Sequence, residues 1–294
     1  MNYVFFHKRD LDGQCSGALT RIWLESLGLK FRICPIDYGD PFDFTFKSDD
    51  VVYFLDWTLQ PVERSLELAK TCRLIVLDHH KTSADLVGKV GGIVKPDNSE
   101  AGCQLVAQYF FPIRNFPWVD LLGTYDTWQQ GENWETDVLP FQFGMRVEET
   151  DPTTDVGMKV WRDFYNSEQW LVEDLVRLIQ HNGRTLIAFE RKKNVENMQN
   201  AFEFTFEGLR ALALIGSGVG SGQFDSRFDP AEHDIMMSIN NIRNEHWRVS
   251  MYTTKDLDLS VLAKKWGGGG HARACGFQVT DISQVLGIGG NNSK

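Results

Sequence analysis

Within the first 80 residues, four short apolar runs are each closed at once by a polar or acidic residue: Tyr3 to Phe6 by His7, Phe31 to Ile36 by Asp37, Val51 to Leu55 by Asp56, and Leu74 to Leu77 by Asp78. They alternate with amphipathic segments, Ser16 to Leu27 and Pro61 to Thr71, the second with a proline where a helix's first turn tolerates one. This is the pattern of βαβ units feeding a parallel sheet. In an open parallel sheet the residues just past the carboxyl ends of the strands face the crevice where ligands bind. Three of the four runs therefore bring metal-capable side chains to one edge.

From about Asp155 to Asn197 the sequence reads as helical, with Leu171, Leu175, Leu178, Asn182, Leu186 and Phe189 at spacings of three and four. At Phe202 to Phe206 the period switches to two. Leu209 to Ile215, Ile235 to Ile239 and Trp247 to Tyr252 read as further strands, with a helix near Leu259 to Trp266. The expected fold class is α/β: a parallel-sheet domain over residues 1–180, a helical linker over 181–200, and a smaller α+β domain over 201–294. A length of 294 residues, about twice that of one domain, accommodates this plan. The end, Gly287 to Lys294, is rich in glycine and asparagine and reads as frayed.

A formal charge of -10 argues against a broad basic face laid along duplex DNA. An acidic protein can still bind a short phosphorylated ligand where metals or a few arginines supply local positive charge. No apolar run approaches the ~18 residues of a membrane span, and the start of the chain lacks a signal-peptide layout, so a cytoplasmic protein is expected. The five cysteines, Cys15, Cys34, Cys72, Cys103 and Cys275, form no C-x-x-C pair and read as buried thiols. Gly216 to Gly222 fails the G-x-G-x-x-G spacing, and no P-loop motif occurs.

The chemistry-bearing residues fall in three clusters: His7-Lys8-Arg9-Asp10-Leu11-Asp12-Gly13, Asp56, and Asp78-His79-His80. Carboxylates and imidazoles gathered on one sheet edge repel or are poorly solvated unless cations sit among them. Mixed Asp/His ligation suits a borderline ion such as manganese better than calcium, which prefers oxygen alone. A lone aspartate after a strand is commonly a cap or turn former; three clusters on one edge are a different matter. Asn98-Ser99-Glu100 reads as a helix cap. Trp57 and Trp128 lie beside these residues and could line a base pocket, although packing is the commoner role of tryptophan.

Asp78-His79-His80 after an apolar strand, preceded by His7, Asp10-Leu11-Asp12-Gly13 and Asp56, resembles the DHH superfamily of phosphoesterases, named for that tripeptide. Gly123-Thr124-Tyr125-Asp126-Thr127 matches a further motif of that family, which ends in an Asp-Thr pair. Gly267-Gly268-Gly269-Gly270-His271 followed by Ala274-Cys275-Gly276-Phe277 is similar to the glycine-rich signature of the DHH-associated C-terminal domain. Two residues separate His7 from Asp10, where many relatives have three.

The resemblance implies two divalent metal ions, manganese foremost, with magnesium or cobalt as alternatives. His7, Asp10 and Asp56 would hold one; Asp12, Asp56, His79 and Asp126 the other. It further implies that Asp78 orients a ligating imidazole, that His80 contacts the scissile phosphate, and that Gly268, Gly269, Gly270, His271 and Arg273 contact substrate. The implied activity is hydrolysis of short single-stranded RNA or DNA, or of linear dinucleotides, to nucleoside 5′-monophosphates. Its alternatives are a phosphatase on 3′-phosphoadenosine 5′-phosphate, a cyclic nucleotide phosphodiesterase, and a non-catalytic nucleotide sensor. Relatives are often dimers, so a homodimer is open, and no membrane partner is expected.

Overall fold

The computed structural model describes residues 1–217, 220–243 and 246–287. Gly218 and Val219 of the glycine–serine run, and the tail from Ile288 onward, lie outside the described residues. The chain divides into two compact units, Met1–Ile187 and Ala188–Lys294.

The first unit is built on five parallel strands, β1 (Asn2–His7), β2 (Phe31–Ile36), β3 (Val51–Leu55), β4 (Arg73–Asp78) and β5 (Gly91–Val94), in the order β2-β1-β3-β4-β5. The four expected strands are all present. The fifth was not expected, because Gly91 and Gly92 mask any strand signature and Gly92 takes a positive φ of 100°; its pairing with β4 is what makes it a strand. Side-chain alternation sorts the sheet into two apolar layers. Val4, Phe6, Tyr53, Leu55, Ile75 and Leu77 pack on one side and Phe5, Val52, Phe54, Leu74 and Val76 on the other.

Helix α1 (Leu11–Ser26) starts earlier than the apolar periodicity suggests, because Asp10 caps it by accepting from the Gly13 N–H at 2.9 Å. Helix α2 (Glu63–Thr71) follows β3, and α3 (Gly102–Phe110), α4 (Pro117–Asp126), α5 (Leu139–Met145), α6 (Asp155–Asn166) and α7 (Gln169–Asn197) complete the unit and run on from it. The stripe expected to be buried on α7 is displaced by one residue. Leu171, Leu178 and Phe189 are exposed, while Val172, Ile179, Gly183 and Ile187 are buried. The cause is a close crossing with α5: a Cβ at Gly183 would lie 1.8 Å from the Pro140 carbonyl oxygen. That backbone approach turns the glycine face inward and sets the helix's rotation.

The second unit is a six-stranded mixed sheet, β6 (Phe202–Phe206), β7 (Leu209–Ile215), β8 (Ile235–Arg243), β9 (His246–Tyr252), β10 (Gly269–His271) and β11 (Ala274–Val279), in the order β10-β11-β9-β8-β7-β6. Only β7 and β8 pair in parallel. Helix α8 (Leu259–Lys265) contributes Leu259 and Ala263 to the same core as Val249, Met251 and Phe277, and a short α9 (Ser283–Leu286) follows. The run Gly267 to Gly270 is not a loose loop, since Gly269–His271 pairs with Ala274–Gly276. All five cysteines are buried and free. Among the described residues no helix is long and apolar enough to cross a membrane.

Trp161 of α6 is fully buried, donates from Nε1 to the Thr150 carbonyl at 2.9 Å, and lies 5.7 Å from the Trp118 ring. Trp161→Ala leaves a cavity and an unpaired carbonyl, and is expected to cost about 3–5 kcal/mol in chemical denaturation.

Candidate metal centre

The chain leaves β1 for β2 on one side and then crosses back to β3 on the other, so the order of strands reverses between β1 and β3. Crevices at such switch points, outside the carboxyl ends, are where open α/β sheets bind ligands. His7 is the last residue of β1, Asp56 directly follows β3, and Asp78 is the last residue of β4.

Three candidate ligand groups converge around Asp56: His7, Asp10 and Asp56; Asp12, His79 and Asp126; and Asp56, His79 and His80. In the first, His7 Nδ1 lies 2.6 Å from Asp10 Oδ2 and 3.5 Å from Asp56 Oδ2. In the second, His79 Nε2 lies 3.2 Å from Asp126 Oδ2 and 3.6 Å from Asp12 Oδ2; the same nitrogen is 3.2 Å from Asp56 Oδ1. His7 Nδ1, Asp56 Oδ1 and His79 Nε2 are buried and hydrogen-bond to nothing. Buried nitrogen and oxygen atoms gathered in this way fit divalent cations.

Asp12, His79 and His7 are held from behind. Asp12 accepts from the Gly102 N–H at 2.9 Å and the Cys103 N–H at 2.6 Å, the first residues of α3, where unpaired N–H groups and the helix dipole favour a carboxylate. That approach requires glycine at 102, since a Cβ there would lie 2.6 Å from Asp56 Cβ. His79 donates from Nδ1 to Asn98 Oδ1 at 2.9 Å, while Asn98 Nδ2 donates to the Thr127 carbonyl at 3.4 Å. The Asn98 amide is thereby oriented, and Nε2 is the His79 nitrogen turned to Asp56 and Asp126. Behind His7, Asp37 Oδ1 lies 3.4 Å from Nε2. Asp126 arrives from the last turn of α4, where a helix's own dipole repels an anion.

The imidazole held by Asp78 is that of His80, at 2.7 Å from Nδ1, and His80 shares a candidate ligand group with Asp56 and His79. Extended backbone explains the choice: residues two apart share a side, so Asp78 faces His80 and not His79. Thr58 Oγ1 donates to the other oxygen of Asp78 at 2.5 Å.

Electrostatics match this crowding. Burial, followed by the charge of Asp56, pushes Asp10, Asp12 and Asp126 upward, Asp126 to about 7. Burial opposes ionisation of Asp56 too, yet the imidazoles of His7 and His79 hold it far below the usual carboxylate range. Burial lowers both histidines, but the surrounding carboxylates outweigh it and raise His7 to about 11 and His79 to about 10.

No protein-family model matches the sequence, and no curated protein does. Solved structures do. A pGpG-specific phosphodiesterase, PggH, from Vibrio cholerae is 15% identical with a TM-score of 0.53, over 96% of this chain and 94% of that one. An exopolyphosphatase-related protein from Bacteroides fragilis is 14% identical with a TM-score of 0.54, over 98% of this chain and 91% of that one. The chain shares the fold of these two proteins.

Within that fold, the structure brings together His7, Asp10, Asp12, Asp56, His79, His80 and Asp126, with Asp78 behind His80. The candidates in the second unit divide. Gly268 lines an open pocket of about 660 Å³ with Gly267, Arg248, Ser250, Tyr252 and Gln278 among its neighbours. Gly269, Gly270, His271 and Arg273 sit in the adjoining β10–β11 hairpin and do not line it. The sequence reading missed Asn98, Asp37, Thr58 and Arg248. Asn98 is not the cap of α3, which starts after Ala101; its left-handed φ of 59° and its bond to a histidine 19 residues away carry no local signature. Asp37 closes a strand as His7 and Asp56 do, and that position was its signal.

Removing the Asn98 acceptor frees the His79 ring. Asn98→Ala is expected to weaken metal binding about 10- to 100-fold, while Asn98→Asp, which keeps an acceptor, retains most of it in a metal titration. Protons must also leave His7 and His79 for either to ligate. Because both are raised, they are protonated near pH 7 without metal, and apparent affinity should climb with pH as far as about 11. Calorimetric manganese titrations in buffers of different ionisation enthalpy should register the released protons; heats independent of buffer would contradict it.

Proposed function

We propose that the protein is a two-metal phosphodiesterase that hydrolyses short oligonucleotides or linear dinucleotides to nucleoside 5′-monophosphates. The observation that carries this reading is the sharing of Asp56 by two converging ligand groups, which fits a pair of ions held by one carboxylate. His7, Asp10 and Asp56 would hold one ion, and Asp12, Asp56, His79 and Asp126 the other. The nitrogen-and-oxygen donor set favours manganese over calcium, with magnesium or cobalt as substitutes. When bound, such a pair supplies an activated water and neutralises charge on a phosphoryl group.

The remaining work falls to the chain. Asp78 engages His80 Nδ1 and leaves Nε2 for a phosphoryl oxygen. Burial lowers the His80 pKa, but Asp78 and Asp56 outweigh it and raise it, which favours the form of the ring that can donate a proton. Thr58, bonded to Asp78, fixes the ring's carboxylate partner. In the second unit, Arg248, Ser250 and Tyr252 lie on one face of β9 beside Gly267 and Gly268. A guanidinium, a hydroxyl and an aromatic ring suit a nucleotide, in keeping with substrate contact by Gly268 to Gly270, His271 and Arg273.

Small substrates are favoured because a chain of net charge -10 has little grip on long strands, whereas two divalent ions can hold a short one. The Vibrio cholerae protein, named for a linear dinucleotide, supports the same size class.

The test is turnover with manganese of a panel: a dinucleotide, a five-nucleotide RNA, 3′-phosphoadenosine 5′-phosphate, cyclic AMP and pyrophosphate. Release of 5′-monophosphates from the first two is expected, with Asp56→Ala losing more than about tenfold in rate. Turnover of the third or fourth alone would move the assignment to a phosphatase or cyclic nucleotide phosphodiesterase. Tight binding without turnover would make the protein a sensor.

A further inference from the structure

Among the described residues, four non-glycine positions hold a positive φ: Asp56, Asn98, Trp128 and Glu207. Glu207 precedes Gly208 in the tight turn between β6 and β7, an ordinary use of that conformation. Asp56 and Asn98 belong to the metal centre. Trp128, at φ 57°, is the remaining one, and a bulky ring in the left-handed region is a strained choice. It follows Thr127, the cap of α4, where glycine would end the helix without strain. Ending α4 therefore explains the backbone and not the indole.

Core packing does not explain the indole either. Trp128 is 56% exposed, whereas Trp57, the other tryptophan beside the site, is 3% exposed and packs on Phe42 and Phe54. The Trp128 ring is braced edge-on by Trp134 at 5.0 Å and Tyr125 at 5.9 Å, which stack on each other at 5.5 Å. Its backbone is fixed as well: Trp128 N–H donates to the Tyr125 carbonyl at 3.1 Å, and Gln129 Nε2 donates to the Ser99 carbonyl at 3.1 Å. The preceding carbonyl, that of Thr127, receives the Asn98 amide that orients His79. One loop thus presents the Asp126 carboxylate, the support for His79, and a rigid, open aromatic ring. One residue, Thr127, separates Trp128 from Asp126, so their Cα atoms are at most about 7 Å apart.

We propose that Trp128 stacks a nucleobase of the substrate whose phosphate lies at Asp126 and His79. This rests on the phosphodiester reading and narrows it to substrates with a base adjoining the reacting phosphate. Stacking of one base on an aromatic ring contributes about 5- to 150-fold in affinity and tolerates any base, since every base has a π face. A ring already immobilised by Trp134 and Tyr125 loses little freedom on binding.

Steady-state kinetics on a dinucleotide and on an abasic analogue with the same phosphodiester provide the test. Trp128→Ala should raise KM for the dinucleotide at least about fivefold, with bound metal unchanged and KM for the abasic analogue shifted less than twofold; Trp128→Tyr should restore most of the loss. Independently of turnover, guanosine 5′-monophosphate with magnesium should quench part of the indole fluorescence in the wild type, and Trp128→Phe should lack that part. An unchanged dinucleotide KM in Trp128→Ala, an equal rise on the abasic analogue, or identical quenching in Trp128→Phe would overturn the assignment. A wild type that cleaves no dinucleotide at all would instead overturn the phosphodiester reading, a result the quenching experiment keeps separate.

Discussion

The first unit turns on the burial of a carboxylate that cannot be left alone. Asp56 is 1% exposed, and Asp10, Asp12 and Asp126 crowd toward it. Taking Asp12 and Asp56 out of water costs several kcal/mol each unless positive charge is placed among them. Three imidazoles supply some of that charge, at the expense of protons a ligating histidine cannot keep. Divalent cations resolve both problems together, and the surrounding architecture serves to hold the ligands where cations can. The N-terminus of α3 on Asp12, the Asn98 amide on His79 and Asp37 behind His7 are separate devices for one end.

The fold was largely readable because a parallel sheet turns adjacency in sequence into adjacency in space. A polar residue that closes an apolar run must emerge at the carboxyl edge, so His7, Asp56 and Asp78 share that edge whatever the details of the crossovers. Where the reading failed, a contact distant in sequence had decided the outcome. Strand β5 is made by its partner, β4, against its own glycines. The rotation of α7 is fixed by Gly183 against the Pro140 carbonyl, and Leu171, Leu178 and Phe189 of the stripe visible in the sequence are left exposed. Helical periodicity shows that a face is apolar, and two such faces one residue apart cannot be ranked without knowing where backbones touch.

The site divides in the same way. Asp126 reaches the cluster from a helix end, so only its motif pointed to it. Asn98 and Thr58 resemble ordinary cap and turn residues in one dimension. Their roles exist only because the 97–99 segment lies against Thr127 and Thr58 lies beside the end of β4. Supporting residues of this kind leave a weak mark on a single sequence, because any polar side chain with an acceptor or donor can fill the position.

The Asp-His-His tripeptide shows why order can matter as much as composition. Residues two apart on the extended chain share a side, so His80 turns Nδ1 to Asp78 while His79 turns Nε2 to Asp56 and Asp126, and both rings stay within reach of Asp56. Asp78 and Asn98 then give adjacent, chemically identical rings different free nitrogens: Nε2 of His79 at the ligand group, and Nδ1 of His80 on a carboxylate. A one-residue slip would pair Asp78 with the wrong ring and leave the cluster short of a nitrogen donor. The three residues therefore act as a unit whose spacing follows from the period of a β-strand, and the position of the strand's end in the sheet decides which of them can meet a metal.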